Sequence, residues 1–330
     1  MFILWGNFLL CAFLIIISGY KLSETAGRIV SAGRLSEGLM GVLILAAITS
    51  FPEMWTSVAS VVKINAPNLG IGNLIGSVMF NLIIIAALDY RYGKAPILSS
   101  AKRYHLITCA FSLALLGIVL AALSLKNLGG ASIGLFGIGL ESYLIFSIYL
   151  LGLSCINKFS AKEDAPRKKA GQGLINMYIL LSICAAVIIG CGFWLASIGK
   201  SIVTTYGLNE MYFGTIVIGF TTSLPEIIVS IACLSIGSAD MAVANILGSN
   251  LFNIAVIPLA DLLYRRGYIL SSVSSLHIYS SVLVIILTMV IFGSILYKPK
   301  KSFMRLGAGS ITLILIFLLG NLILYHIING

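Results

Sequence analysis

A stretch of about thirty-five residues occurs twice in this chain, and each copy buries a carboxylate in apolar sequence. The first, 47–81, reads AITSFPEMWTSVASVVKINAPNLGIGNLIGSVMFN, and the second, 220–253, reads FTTSLPEIIVSIACLSIGSADMAVANILGSNLFN. Adding 173 to the residue number maps Glu37 to Glu210, Thr49 to Thr222, Ser50 to Ser223, Pro52 to Pro225, Glu53 to Glu226 and Ser57 to Ser230. Past a loop one residue shorter, adding 172 maps Asn73 to Asn245, Ser77 to Ser249, Asn81 to Asn253 and Asp89 to Asp261. Agreement at so many polar and small positions marks an internal duplication. A fold for this chain must therefore use the same unit twice.

Each unit needs a bilayer. Hydrophobic residues make up 59% of the 330 and charged residues 10%, and apolar runs of spanning length recur throughout. Runs fall near 1–20, 37–62, 69–89, 104–125 and 132–156, then near 174–199, 210–236, 240–262, 274–297 and 304–327. The hydrophilic stretch Lys158–Gly173 separates them into five and five, too short to fold as a domain. The first run lacks the basic flank and small-residue cleavage site of a signal peptide, so it reads as a retained span. The expected organisation is a first repeat over 1–157, a cytoplasmic linker over 158–173 and a second repeat over 174–330.

Basic residues orient the spans. With the N-terminus outside, sixteen of the 21 lysines and arginines fall on the inner side, against Lys63, Lys126, Lys200, Arg265 and Arg266 outside, as the positive-inside bias requires. The formal charge of +10 is thus a topology signal and calls for no nucleic-acid partner. Because five is odd, the second repeat enters the membrane from the opposite face. The expected fold is an all-α membrane protein, ten transmembrane helices as two inverted five-helix repeats with proline-interrupted motif helices. Trp5 and Tyr20 suit interfacial anchors. The six cysteines, in or beside apolar runs and without metal-ligand spacing, read as small buried hydrophobes. His105, His277 and His326 receive no ligand role.

The repeated motifs carry the chemistry. Proline lacks an N–H and crowds the preceding turn, so Pro52 and Pro225 are expected to interrupt or kink their helices, freeing the carbonyls of Ile48 and Thr221. Such carbonyls are costly in lipid unless they face protein, water or an ion. Thr49, Ser50, Thr222 and Ser223 stand beside them, followed directly by Glu53 and Glu226. Acids at such depth are expensive and mark functional sites, and an oxygen-only donor set suits hard cations such as Ca²⁺ and Na⁺. Asn73, Ser77 and Asn81 share one helical face by their spacing of four, as do Asn245, Ser249 and Asn253; small and polar residues on such a face also glue membrane helices together. Glu37, Glu210, Asp89 and Asp261 fall at helix ends within reach of water, where capping or vestibule electrostatics is expected. Asp240 suits a helix N-cap.

The paired TSFPE and TTSLPE turns, the GNLIGSVMFN and ANILGSNLFN segments, the ten inverted spans and the central loop together resemble the cation/calcium antiporter superfamily, especially the sodium/calcium exchangers. The likeness runs over essentially the whole chain. It implies ion sites clustered at mid-membrane, with Ca²⁺ held by Glu53 and Glu226 helped by the carbonyls of Thr49 and Thr222. Na⁺ sites would draw on Ser50, Ser77, Ser223, Ser249, Asn81 and Asn253. One departure stands out: many exchangers carry an aspartate at one of the positions occupied here by Asn81 and Asn253. The implied activity is secondary-active antiport of Ca²⁺ for Na⁺ by alternating access, without a cofactor or obligate protein partner, in a bilayer taken as the plasma membrane of a prokaryote. Three alternatives stay open: Ca²⁺/H⁺ exchange in the same fold, a passive cation channel, which would call for four-fold symmetry or a pore loop, and a membrane enzyme, for which no nucleophile–base pair is present.

Overall fold

Apolar runs of this length cannot leave backbone groups unpaired in lipid, so each closes its hydrogen bonds internally as a helix. In a computed structural model describing residues 2–32, 35–63, 65–93, 95–130, 133–163, 174–205, 219–299 and 302–329, the chain is almost wholly helical. The first half comprises α1 (Phe2–Ser31), α2 (Glu37–Val62), α3 (Pro67–Tyr92), α4 (Tyr104–Asn127) and α5 (Leu140–Glu163). The second comprises α6 (Leu174–Thr205), α7 (Leu224–Ser235), α8 (Ala239–Leu263), α9 (Leu276–Tyr297) and α10 (Ala308–Asn329). Among the described residues nine helices are long and apolar enough to cross a membrane, and α7 is a shorter apolar helix. The start of the span expected near 210–236, with Glu210 and Gly214, lies outside the described residues, as does 164–173 of the expected linker.

The halves pair about a pseudo-two-fold axis in which equivalent helices meet: α1 with α6, α3 with α8 and α4 with α9. They also interlock, since α5 of the first half packs on α8 of the second and α10 of the second packs on α3 of the first. Helices α3 and α8 are the most buried spans, and α1, α5 and α10 the least. Exposed Leu9, Phe13, Ile16, Ile179, Leu318 and Leu322 give the outer helices the apolar face that a lipid surround requires. All six cysteines are unbridged.

Four sequence expectations need correction. The expected spans near 132–156 and 304–327 begin later, because each is preceded by a small hairpin: Gly134–Leu135 with Ile138–Gly139, and Ser302–Phe303 with Leu306–Gly307. The first helix runs on to Ser31 rather than ending near residue 20, and α5 continues past Lys158 to Glu163. The two prolines also behave differently. Pro52 lies inside an α-helical stretch, Ala46–Val62, whereas Pro225 sits in the first turn of α7 after a break at Ser223 (φ −83°, ψ 0°). The irregular part of α2 comes earlier, at Met40–Leu45, which is π-helical.

Asp89 and Asp261 are the fourth correction, for water does not reach them: they are 1% and 0% exposed. Asp89 accepts hydrogen bonds from Ile97 N (2.6 Å), Gly307 N (2.6 Å) and Ser310 Oγ (2.7 Å). Asp261 accepts from Ile269 N (2.7 Å), Gly139 N (2.8 Å) and Ser142 Oγ (2.7 Å). Each carboxylate thus caps a turn in its own half and clasps the hairpin and following helix of the other. Three donors satisfy a buried carboxylate well, and the two clasps fix where α3 and α8 end.

Candidate ion-binding site

Helices α2, α3, α7 and α8 converge at the middle of the bundle, and the sequence-singled polar residues meet there. Thr49, Ser50, Glu53, Ser77, Asn81, Thr222, Glu226, Ser249 and Asn253 are fully buried, and Ser223 is 1% exposed. The two acidic turns are cross-linked through each other's serines. Ser50 Oγ donates to Glu226 Oε1 at 2.8 Å, and Ser223 Oγ donates to Glu53 Oε1 at 3.4 Å. Thr222 stands beside Glu53, and Thr49 beside Glu226. Two acids separated by 173 positions in the chain therefore face one another across the axis.

The remaining contacts sort the polar residues into two kinds. Asn73 Nδ2 donates to Ser57 Oγ (2.9 Å) and to the Glu53 carbonyl (3.4 Å), and Asn245 Nδ2 donates to Ser230 Oγ (2.9 Å). These asparagines brace the two motif helices within each half, so the shared helical face with Ser77 and Asn81 does not mean a shared role. Thr49 Oγ1 lies 3.5 Å from Asn245 Oδ1 and 3.4 Å from Ser249 Oγ, linking α2 to α8. Thr222 Oγ1 donates to the Gly219 carbonyl at 3.2 Å.

The second kind has polar atoms left over. Glu53 Oε2, Glu226 Oε2, Ser77 Oγ, both amide atoms of Asn81 and of Asn253, and Asn250 Oδ1 are buried without a hydrogen-bond partner among the described residues. Leaving a buried polar atom unmatched costs about 1–3 kcal/mol, and more when it is charged, so a cluster of them inside a membrane is a strained, receptive centre. Its oxygens are carboxylate, hydroxyl and amide, the donors that hard cations take. No third His, Cys, Asp or Glu side chain among the described residues joins the two glutamates to complete a metal-ligating cluster. Asn250, whose counterpart in the first repeat is Val78, was not singled out for the site; its place one residue after Ser249 in the GSN segment was the available signal.

Backbone close packing brings the helices near enough to form the centre. A Cβ on Gly248 of α8 would overlap the Val42 backbone of α2, and one on Gly41 would overlap Ala244. Glycine at both positions lets α2 lie directly on α8. On the outer flank, Gly192 of α6 lets Pro52 sit against the α6 backbone.

A ten-span inverted duplication whose two halves each contribute an acidic, hydroxyl-rich turn to one buried centre is the architecture of a membrane cation carrier. Comparison with known proteins makes the class specific. A model of the family described as sodium/calcium exchanger protein matches residues 3–154 and 176–325, and the chain belongs to that family. It is 26% identical over 232 residues to an uncharacterized membrane protein of Methanocaldococcus jannaschii, covering 69% of this chain and 70% of that one. It is 23% identical over 224 residues to the inner membrane protein YrbG of Escherichia coli, covering 66% of this chain and 67% of that protein. A solved structure of the sodium-calcium exchanger NCX_Mj shares the fold, with a TM-score of 0.72 at 20% identity over 97% of this chain and 98% of that one.

Proposed function

We propose that this protein exchanges Ca²⁺ for Na⁺ across the membrane by alternating access, and that Glu53 and Glu226 are the groups both cations compete for. Its family membership and fold support cation antiport involving Ca²⁺; the observation that carries the site assignment is the pair of facing glutamates, each with one oxygen tied to a serine and the other unmatched. A divalent ion neutralises both carboxylates and takes up the unmatched oxygens. Removing it leaves two buried like charges that repel one another, so the vacant centre resists occlusion until another cation enters. That is the physical basis of obligatory exchange: neither ion leaves on one side without replacement.

Thr49, Thr222, Ser50, Ser223, Ser77, Ser249, Asn81 and Asn253 supply the neutral oxygens, and no covalent step or cofactor is involved. The two repeats expected over 1–157 and 174–330 act about this centre, with the last helix of the first running on to Glu163. The charge bias argues for an N-terminus outside and a linker in the cytoplasm, and we take the membrane to be the plasma membrane of a prokaryote.

One observation favours a second reading. Both Asn81 and Asn253 are uncharged, so the centre holds two carboxylates, and two protons would neutralise it as well as two Na⁺. Ca²⁺ uptake into proteoliposomes separates the two couplings. Uptake driven by an outward Na⁺ gradient at equal pH is the expected result; uptake driven by a pH gradient alone, with no response to Na⁺, would replace sodium with protons. Ca²⁺ flux that ignores both gradients would remove the antiport reading altogether.

A further inference from the structure

The two ends of the bundle are built from equivalent segments, yet they are fastened differently. At the end where α5 leads into the linker, Asp240 in the first turn of α8 accepts from Lys102 N (3.4 Å), contacts His105 Nε2 (2.8 Å) and is bonded by the Tyr104 hydroxyl. Lys102 Nζ reaches both Asp240 Oδ2 (3.2 Å) and Glu37 Oε2 (2.8 Å). One ammonium therefore ties the start of α2 to the start of α8, at the foot of α4. Asp240 does not cap its own helix: Ser238 holds the N-cap position.

The offset of 172 turns Asn68 into Asp240, Ser274 into Lys102 and His277 into His105. At the opposite end Asn68 Oδ1 accepts from Ser274 N at 2.6 Å, the same backbone-to-side-chain bond without its charges. Lys126, a cation nearby, donates to the Val273 carbonyl and, among the described residues, to no carboxylate. The clasps of Asp89 and Asp261 recur identically in both halves. Among the described residues the ionic fastening occurs once, and Glu210, the counterpart of Glu37, lies outside them.

What it fastens lies next to the ion centre. Between Glu37 and the motif of α2 runs the π-helical stretch Met40–Leu45, seated on α8 where Gly41 meets Ala244 and Val42 meets Gly248. Gly248 immediately precedes Ser249, and Ala244 precedes Asn245. A path from the linker side to Glu53 between α2 and α8 has to part these contacts. A π-helical turn, with its looser hydrogen bonding, is a natural joint for that movement.

We propose that Lys102, with Glu37 and Asp240, forms a one-sided latch that holds the linker-side route to the centre shut, so that opening this side and not the other requires withdrawing the ammonium. The inference rests on the alternating-access reading, but it is tested without transport.

Hydrogen–deuterium exchange of the purified full chain is compared between wild type and Lys102→Gln, in peptides covering 38–48 and, at the far end, 66–76. The latch requires exchange over 38–48 to rise about tenfold, equivalent to about 1.4 kcal/mol, while 66–76 is unchanged and Lys102→Arg restores the wild-type rate. Unchanged exchange over 38–48 overturns the proposal. So does an equal rise at both ends, the mark of general loosening. Asp240→Asn, which installs what the first repeat already carries at Asn68, gives the same readout should Lys102→Gln fail to fold. A sided response without Ca²⁺ transport would leave the latch standing and reject the exchange reading; transport without a sided response would do the reverse.

Discussion

Replacing Asp261 by asparagine probes how the halves are locked together. The carboxylate accepts three hydrogen bonds of 2.7–2.8 Å in a fully buried position. If the amide oxygen keeps Ile269 N–H, the new NH₂ group faces Gly139 N–H and Ser142. The serine can turn and accept, but the Gly139 N–H cannot, and a buried unmatched donor costs about 1–3 kcal/mol. The two surviving bonds lose their charge assistance, roughly another 1 kcal/mol each. The expected loss is about 3–5 kcal/mol of unfolding free energy, read from an SDS titration of the purified protein in mixed micelles. Asp89→Asn should cost the same within about 1 kcal/mol, because its bonds to Ile97, Gly307 and Ser310 repeat the geometry at 2.6–2.7 Å. Ser142→Ala, which removes one donor, should cost about 1 kcal/mol. A loss below about 1 kcal/mol for either aspartate would refute the claim that these clasps, rather than lipid-facing packing, set the ends of α3 and α8.

Glu53→Gln and Glu226→Gln should each abolish Ca²⁺ uptake in proteoliposomes while the purified protein keeps its helical circular dichroism; wild-type uptake in either variant removes the site assignment. Ca²⁺ at about 100 times its Kd should stabilise the wild type by about 2.7 kcal/mol, seen as a raised unfolding temperature, and the shift should vanish in Glu226→Gln. Gly248→Ala places a methyl group into the Val42 backbone; it should separate α2 from α8 and depress both stability and transport, whereas Gly190→Ala, with open space around it, should be neutral within about 0.5 kcal/mol. Asn73→Ala and Asn245→Ala should cost about 1–2 kcal/mol each through the lost bonds to Ser57 and Ser230; exchange lost without any fall in stability would show that these asparagines are more than braces.

Glu53 and Glu226 could be picked out as a pair because an acid in apolar sequence has few structural uses, and a second one at a matched offset has fewer still. Hydrophobic run length likewise prescribed the spans, since lipid permits little besides a helix over that distance. Asp89 and Asp261 were misjudged for a related reason: their place at a helix end says nothing about what folds over it. Burial there comes from hairpins of the opposite half, 122 residues away for Asp261 and 218 for Asp89. Asn73 shares the period of Ser77 and Asn81, but periodicity assigns a face and not a partner; the nearness of Ser57 decides that it braces. Nor does the motif distinguish Pro52 inside a continuous helix from Pro225 at the start of one, since both stand in the same TS-x-PE pattern.

By itself, then, the amino-acid order determined the membrane class, the inverted duplication and the acidic pair, all of which follow from local properties: how apolar a run is, how often a pattern returns, what a charge costs in lipid. Only the tertiary structure decided that each glutamate is held by the other repeat's serine, that the aspartate clasps are buried, and that Lys102 ties α2 to α8 at the linker end. Those are contacts between segments distant in the chain, and their energies depend on distances and exclusion of water that exist only once the helices have packed.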